Sequence, residues 1–251
     1  MKYQTVIIFA VMIVAYSLIS PNFFTAVNLK NIFSQNACLI VVCMAQLIAQ
    51  VIGGVDLSVS AVVAFSGITT AICMTERGMG FYAAAAVAAG LSTVIGMING
   101  FLVASCNFAP FIATLATTQI AKGAAYVISN ARIIYVNETT FNFIGGGTIA
   151  KIPAVVVIAF VFAIVMSIIL TKTIVGRKIM AIGGNEETAR LAGVNVRRYK
   201  FLIYTAAGFL SGVAGVLAAC RLGAGSPTIG AEWEMDSIAA VVIGGTYAGC
   251  G

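Results

Sequence analysis

Most of the acidic side chains in this sequence fall in three short stretches, and their types and spacing limit the chemistry open to the chain. Asp56 stands in G-G-V-D-L-S-V-S (53–60), behind two glycines. Asn185, Glu186, Glu187 and Arg190 stand in I-G-G-N-E-E-T-A-R-L-A-G-V (182–194). Glu232, Glu234 and Asp236 surround the single tryptophan in P-T-I-G-A-E-W-E-M-D-S-I-A-A-V-V-I-G-G (227–245). None of these is an acid–base or metal constellation. The chain has no histidine, the commonest general base. Its six cysteines, at 38, 43, 73, 106, 220 and 250, sit mostly in apolar runs and lack metal-ligand spacing. Gly145 to Gly147 lead to Lys151, but not at the spacing of a phosphate-binding loop. Catalysis, a metal and a cofactor are therefore not expected. Capping, docking and steering are.

The elements that position these groups must be apolar helices. Of 251 residues 61% are hydrophobic and 9% charged, and the mean hydropathy is +1.05. A soluble domain carries about a quarter of its residues as charges, so the solvent is lipid. A helix needs about 20 apolar residues to cross a bilayer core. Candidate spans run roughly over 5–20, 36–53, 57–74, 80–104, 108–129, 152–171 and 199–220, with a last one from 236. Lys2 precedes the first run as in a signal peptide, but no cleavage site follows, so the run is expected to be retained. Lys122 is the clear charged exception inside the spans. The net charge of +6 suggests a basic surface rather than nucleic acid as partner, because seven of the fourteen basic residues lie between 172 and 200. That stretch marks the cytoplasmic side and favours anionic lipid headgroups. Alternation then places the N-terminus and the connections at 54–56 and 105–107 inside, and 21–35, 75–79, 130–151 and 221–235 outside. The run from Asp236 to Gly251 is short for a span, and the expectation is a chain shortened at its C-terminal end.

Asn185 is a good N-cap, with Glu186 and Glu187 in the first turn, Arg190 in the last and Gly193 beyond it. This predicts a helix over 185–192 that is too short to be stable alone and must dock. Thr188 and Ala189 are small enough to allow close approach. Asp56 reads as a cap for the following helix, as a functional ionisable group at a membrane boundary, or as both. V-I-G-G occurs at 51–54 and again at 242–245. Glycine-interrupted segments in two halves of a transporter point to a solute pathway. Gly53, Gly54, Asp56, Ser58, Gly244 and Gly245 are the pathway candidates. Glu232, Glu234 and Asp236 fall just outside the last span and are candidates for steering a partner protein.

E-T-A-R-L-A-G at 187–193 resembles the coupling loop of ABC importer permeases, which fits a cleft on an ATPase subunit. The set widens with F-F-T-A-V-N-L-K-N-I (23–32), G-G-V-D-L-S-V (53–59), I-N-G-F-L-V (98–103), P-F-I-A-T-L (110–115) and G-R-K-I-M-A-I-G-G-N-E-E-T-A-R-L-A-G-V (176–194). Together with 227–245 these resemble the inner-membrane permease of ribose-type ABC sugar importers, a branch with xylose, galactose and autoinducer-2 members. T-Y-A-G-C-G at 246–251 departs from the family's pattern. The resemblance implies an all-α polytopic permease of about eight spans in the bacterial inner membrane, one domain over 1–251 with 172–200 as its coupling loop. It implies a dimer, two cytoplasmic ATPase subunits and an extracytoplasmic sugar-binding protein. Asn185, Glu186, Glu187, Thr188, Ala189, Arg190 and Gly193 would contact the ATPase. The alternative is a secondary transporter driven by an ion gradient, which nearly charge-free spans disfavour.

Overall fold

A computed structural model describes residues 4–246; Cys250 and the irregular stretch beyond Thr246 lie outside the described residues. Helices dominate, in the order α1 (Gln4–Ile19), α2 (Ala26–Val51), α3 (Val59–Thr75), α4 (Phe81–Ala104) and α5 (Pro110–Ile128). A mixed connection follows, with β1 (Ile134–Tyr135), α6 (Thr139–Gly146), β2 (Thr148–Ile149) and β3 (Ile152–Pro153). Then come α7 (Ala154–Lys172), α8 (Ile174–Gly184), α9 (Glu186–Leu191), α10 (Val196–Leu222), β4 (Ala224–Gly225) and α11 (Trp233–Ile243). Five of these (α2, α4, α5, α7 and α10) are long and apolar enough to cross a membrane, and α1 and α3 are shorter apolar helices. The fold is the all-α polytopic one expected.

Helix α10 is the axis of the bundle and packs against α2, α3, α4 and α6. Its sequence explains this. Small residues recur along it, and at Gly208 an added Cβ would stand 2.7 Å from the Cα of Gly96 on α4. Backbones that approach so closely tolerate no side chain between them, and small residues at such seams are how membrane helices gain van der Waals contact without a hydrophobic drive. Ser66 of α3 donates to the carbonyl of Gly212 at 2.6 Å, adding a polar tie to the same axis.

Four features differ from the sequence expectation. Helix α2 begins at Ala26 rather than near 36, because Thr25 caps it and accepts from the N–H of Asn28. Polar residues in its first turns lower the hydropathy without breaking the helix. The basic stretch holds a second helix, α8, ahead of α9; Thr173 caps it by accepting from Gly176 at 3.2 Å. The connection between α2 and α3 is not a surface loop, since Asp56, Leu57 and Ser58 are all buried. Finally, the chain after α10 does not stay at the end of the bundle where α10 stops. Gly223 turns it in the left-handed region (φ 73°), and β4 pairs antiparallel with β1, Ile134 opposite Gly225 and Tyr135 opposite Ala224. It then runs back along α3: Gly225 lies against Gly67, Ile68 and Ala71, and Gly230 lies against Val63. Those contacts run from Val63 to Ala71, nine α3 residues and about 12 Å of descent at 1.5 Å per residue.

Candidate functional site: the helix break, the docking helices and the cavity between them

The break between α2 and α3 is built around Asp56. Its Oδ1 accepts from the backbone N–H of Ser58 at 2.9 Å and from the Ser58 hydroxyl at 2.6 Å. Ser58 is itself the N-cap position of α3 and makes no side-chain cap, so Asp56, two residues before it, fixes the N-cap residue rather than capping the helix directly. The Ser58 hydroxyl accepts from Asn99 Nδ2 at 2.8 Å, and Asn99 Oδ1 accepts from the Thr117 hydroxyl at 2.6 Å. Thr114 accepts from the N–H of Leu57 at 3.1 Å. This chain of bonds pins the break to α4 and α5. Asn99 lies five residues from the end of α4, and Thr117 seven from the start of α5. The network therefore sits about 8–10 Å inside the end of the bundle. Gly54 leaves room for the Tyr204 hydroxyl, which a Cβ there would strike. That hydroxyl is buried and has no hydrogen-bond partner among the described residues, as do both polar atoms of the Gln46 side chain.

The repeated V-I-G-G is a helix stop in both places. Val51 ends α2 and Gly53 follows at φ 79°; Ile243 ends α11 and Gly245 follows at φ 100°. Gly244 is the C-cap of α11. The left-handed glycine is the first of the pair in one copy and the second in the other.

The element after α8 carries the expected caps. Asn185 accepts from the N–H of Thr188 at 2.8 Å, and Gly193 leaves α9 at φ 82°. Glu187 and Arg190 pair with each other at 2.7 Å on the exposed face, and that carboxylate holds the guanidinium above its already high range. An exposed pair one turn apart contributes little stability, so both charges are available to a partner. Glu186 instead ties α9 to α10 through Lys200 at 2.7 Å. Ala189 is the buried contact of α9, and Leu191 projects with 80% of its surface exposed. It is a large apolar side chain left in the open at the tip of a capped helix. Hydropathy alone gave no sign of it.

Glu232, Glu234 and Asp236 come together near one another, but lower than the outer surface where alternation put them. Gly230 is level with Val63, four residues into α3. Glu232 takes φ 70°, a conformation uncommon for a non-glycine residue. Trp233 packs against the buried core. Glu232 and Glu234 line a cavity of about 80 Å³ with Lys122, Thr118 and Tyr126 of α5, Ser60 of α3 and Thr228. Asp236 is exposed and is not among the lining residues. Asn99, Thr117, Tyr204, Leu191 and Thr228 were not singled out from sequence. Only Asn99 carried a signal, as an amide within an apolar span.

Residues 28–250 match the family described as branched-chain amino acid transport system / permease component. The chain is 35% identical over 252 residues to the L-arabinose transport system permease protein AraH of Escherichia coli (strain K12), covering 97% of this chain and 74% of that protein. It is 35% identical to the D-allose transport system permease protein AlsC of the same strain, over 98% of this chain and 76% of that protein. It is 34% identical to the ribose import permease protein RbsC of that strain, over 98% and 78%. No solved structure gives a significant match. The capped helices at one end, the apolar spans and the match along nearly the whole length agree, and the chain belongs to this family of transport permeases.

Proposed function

We infer that the chain is a pore-forming subunit of an ATP-driven importer for a monosaccharide or a related polyol-like solute in the bacterial inner membrane. The observation that carries this is the match, over almost all of the chain, to permeases named for arabinose, allose and ribose. The subunit does no chemistry. A separate cytoplasmic ATPase binds at α8–α9, with Leu191, Glu187 and Arg190 presented to it and Gly193 setting the exit angle. A soluble sugar-binding protein delivers solute to the opposite end, where the 130–151 segment with its short strands and α6 gives the broadest surface. A second permease subunit completes the pore. The N-terminus lies in the cytoplasm, on the side of the basic stretch.

Leu191→Glu and Gly193→Pro are expected to abolish co-purification of the ATPase and solute uptake, while the protein still inserts in the membrane. Proline fixes φ near −65° and is incompatible with the φ of 82° at residue 193. Undiminished ATPase association in both variants sinks the docking assignment. Ion-coupled transport would place its demands on Asp56 and Lys122; uptake that survives a protonophore and stops on ATP depletion decides against it.

A further inference from the structure

The cavity beside the descending segment lies at mid-depth. On α5, Thr118 and Tyr126 stand eight and sixteen residues from the first residue, Pro110, which is about 12–24 Å into the bundle. Three charged side chains (Lys122, Glu232 and Glu234) border it in a chain where charge is scarce. Ionisable groups at this depth are expensive and mark solute or ion paths. Their placement does not serve mutual neutralisation: among the described residues, Lys122 has no carboxylate oxygen within 4.0 Å. Glu234 Oε2 is buried with no hydrogen-bond partner. The backbone of Glu232 is held in the left-handed region, a strain that persists only where surrounding structure imposes it. Lys122 and Tyr126 are exposed on α5, so the cavity opens on that face.

We propose that this cavity is a low-affinity relay site for polyhydroxylated solutes, in which the Lys122 ammonium donates to a solute hydroxyl and the Glu234 carboxylate accepts from its neighbours. The assignment rests on the importer function proposed above. An ammonium has three donors and no acceptor, and a carboxylate only acceptors, so together they match a vicinal diol, whose hydroxyls do both. Thr228 adds a hydroxyl of either sense, and the Tyr126 ring offers an apolar face to the C–H side of a sugar. A pathway site must hold its solute weakly enough to release it, and a small, one-sided, open cavity does that.

The test uses the full chain assembled with its ATPase and binding protein in proteoliposomes, with labelled ribose, L-arabinose and D-allose as probes. Lys122→Met and Glu234→Gln are each expected to lower initial uptake at least tenfold, while ATP hydrolysis stimulated by the loaded binding protein stays within twofold of wild type. Lys122→Arg should restore at least a third of the uptake. Should Lys122→Met fail to assemble, Glu234→Gln, which keeps the side-chain shape and loses only the charge, carries the test. Wild-type uptake of at least one of the sugars with uptake in Glu234→Gln within twofold of it overturns the site alone. A wild-type complex that takes up none of the three overturns the importer function and the site with it.

Discussion

At the residue scale, the polar groups of this chain divide by whether they have partners. Asp56, Ser58, Asn99 and Thr117 bond in series, each satisfying the next. Tyr204 does not: its hydroxyl is buried beside Gly54 and bonds to nothing among the described residues. A buried polar atom without a partner costs about 1–3 kcal/mol, so Tyr204→Phe should leave thermal stability in detergent unchanged or raised. Gly54→Ala should instead destabilise by about 1–3 kcal/mol through overpacking, because its new methyl group meets that hydroxyl. Combining the two should recover most of the loss, since phenylalanine removes the atom that is struck. Additive effects in this double-mutant cycle would show that Gly54 is required for its backbone alone. The sequence marked out Asp56 and left open whether as cap, as functional group or as both. It concealed Tyr204, which reads as one more aromatic in a span until the fold brings it 150 residues back along the chain to Gly54.

At the scale of elements, caps were the most legible signal and connections the least. The N-cap of α9 and its left-handed exit at Gly193 follow from Asn185 and Gly193 by local rules that no tertiary contact overrides. Helix α6 was missed, although it has a comparable cap: Glu138 accepts from the N–H of Phe141 at 2.7 Å. Its eight residues are too few to show periodicity. The bond predicts a pH dependence. Hydrogen bonding from the Phe141 and Thr140 backbone holds the Glu138 carboxyl below the usual carboxylate range. A lowered value means that the cap's contribution is fully present above the unfolded-state value of about 4.3 and is lost as pH falls through the folded one. Protection of the Phe141 amide against hydrogen exchange, corrected for intrinsic rates, should be level above about pH 4.3 and decline below it. Glu138→Gln should remove the decline; a decline of the same size in that variant would assign it to another group.

At the scale of the molecule, two ties sort the connections onto two sides. Arg197 donates to the Ser105 hydroxyl at 3.1 Å, joining the α4–α5 turn to the start of α10. The β1–β4 ladder joins the 130–151 segment to the far end of α10. The order of spans was legible because hydropathy reports burial in lipid. The dip after α10 was not, because a non-helical stretch at membrane depth is tolerated where protein surrounds it and then looks like any polar loop. Cys106, exposed in the same turn as Ser105, tests the orientation. A membrane-impermeant maleimide should label it only after the cytoplasmic face is opened. Labelling in intact cells would invert the molecule and move the docking helices outside.

The ladder between β1 and β4 has a mechanical meaning as well. Two strand residues on each side, extended by the bond from the Val136 N–H to the Gly223 carbonyl at 3.1 Å, clasp the 130–151 segment to the start of the descending one. Backbone ladders are stiff along their hydrogen bonds and carry no slack from side-chain rotation. From β4 the chain reaches Glu232 within seven residues. A protein that pushed or tilted the 130–151 segment would therefore pull on a chain that ends at Glu232 and Glu234. Displacement at the clasp and displacement at Glu232 would be one motion, shared with α3, against which the descending segment packs.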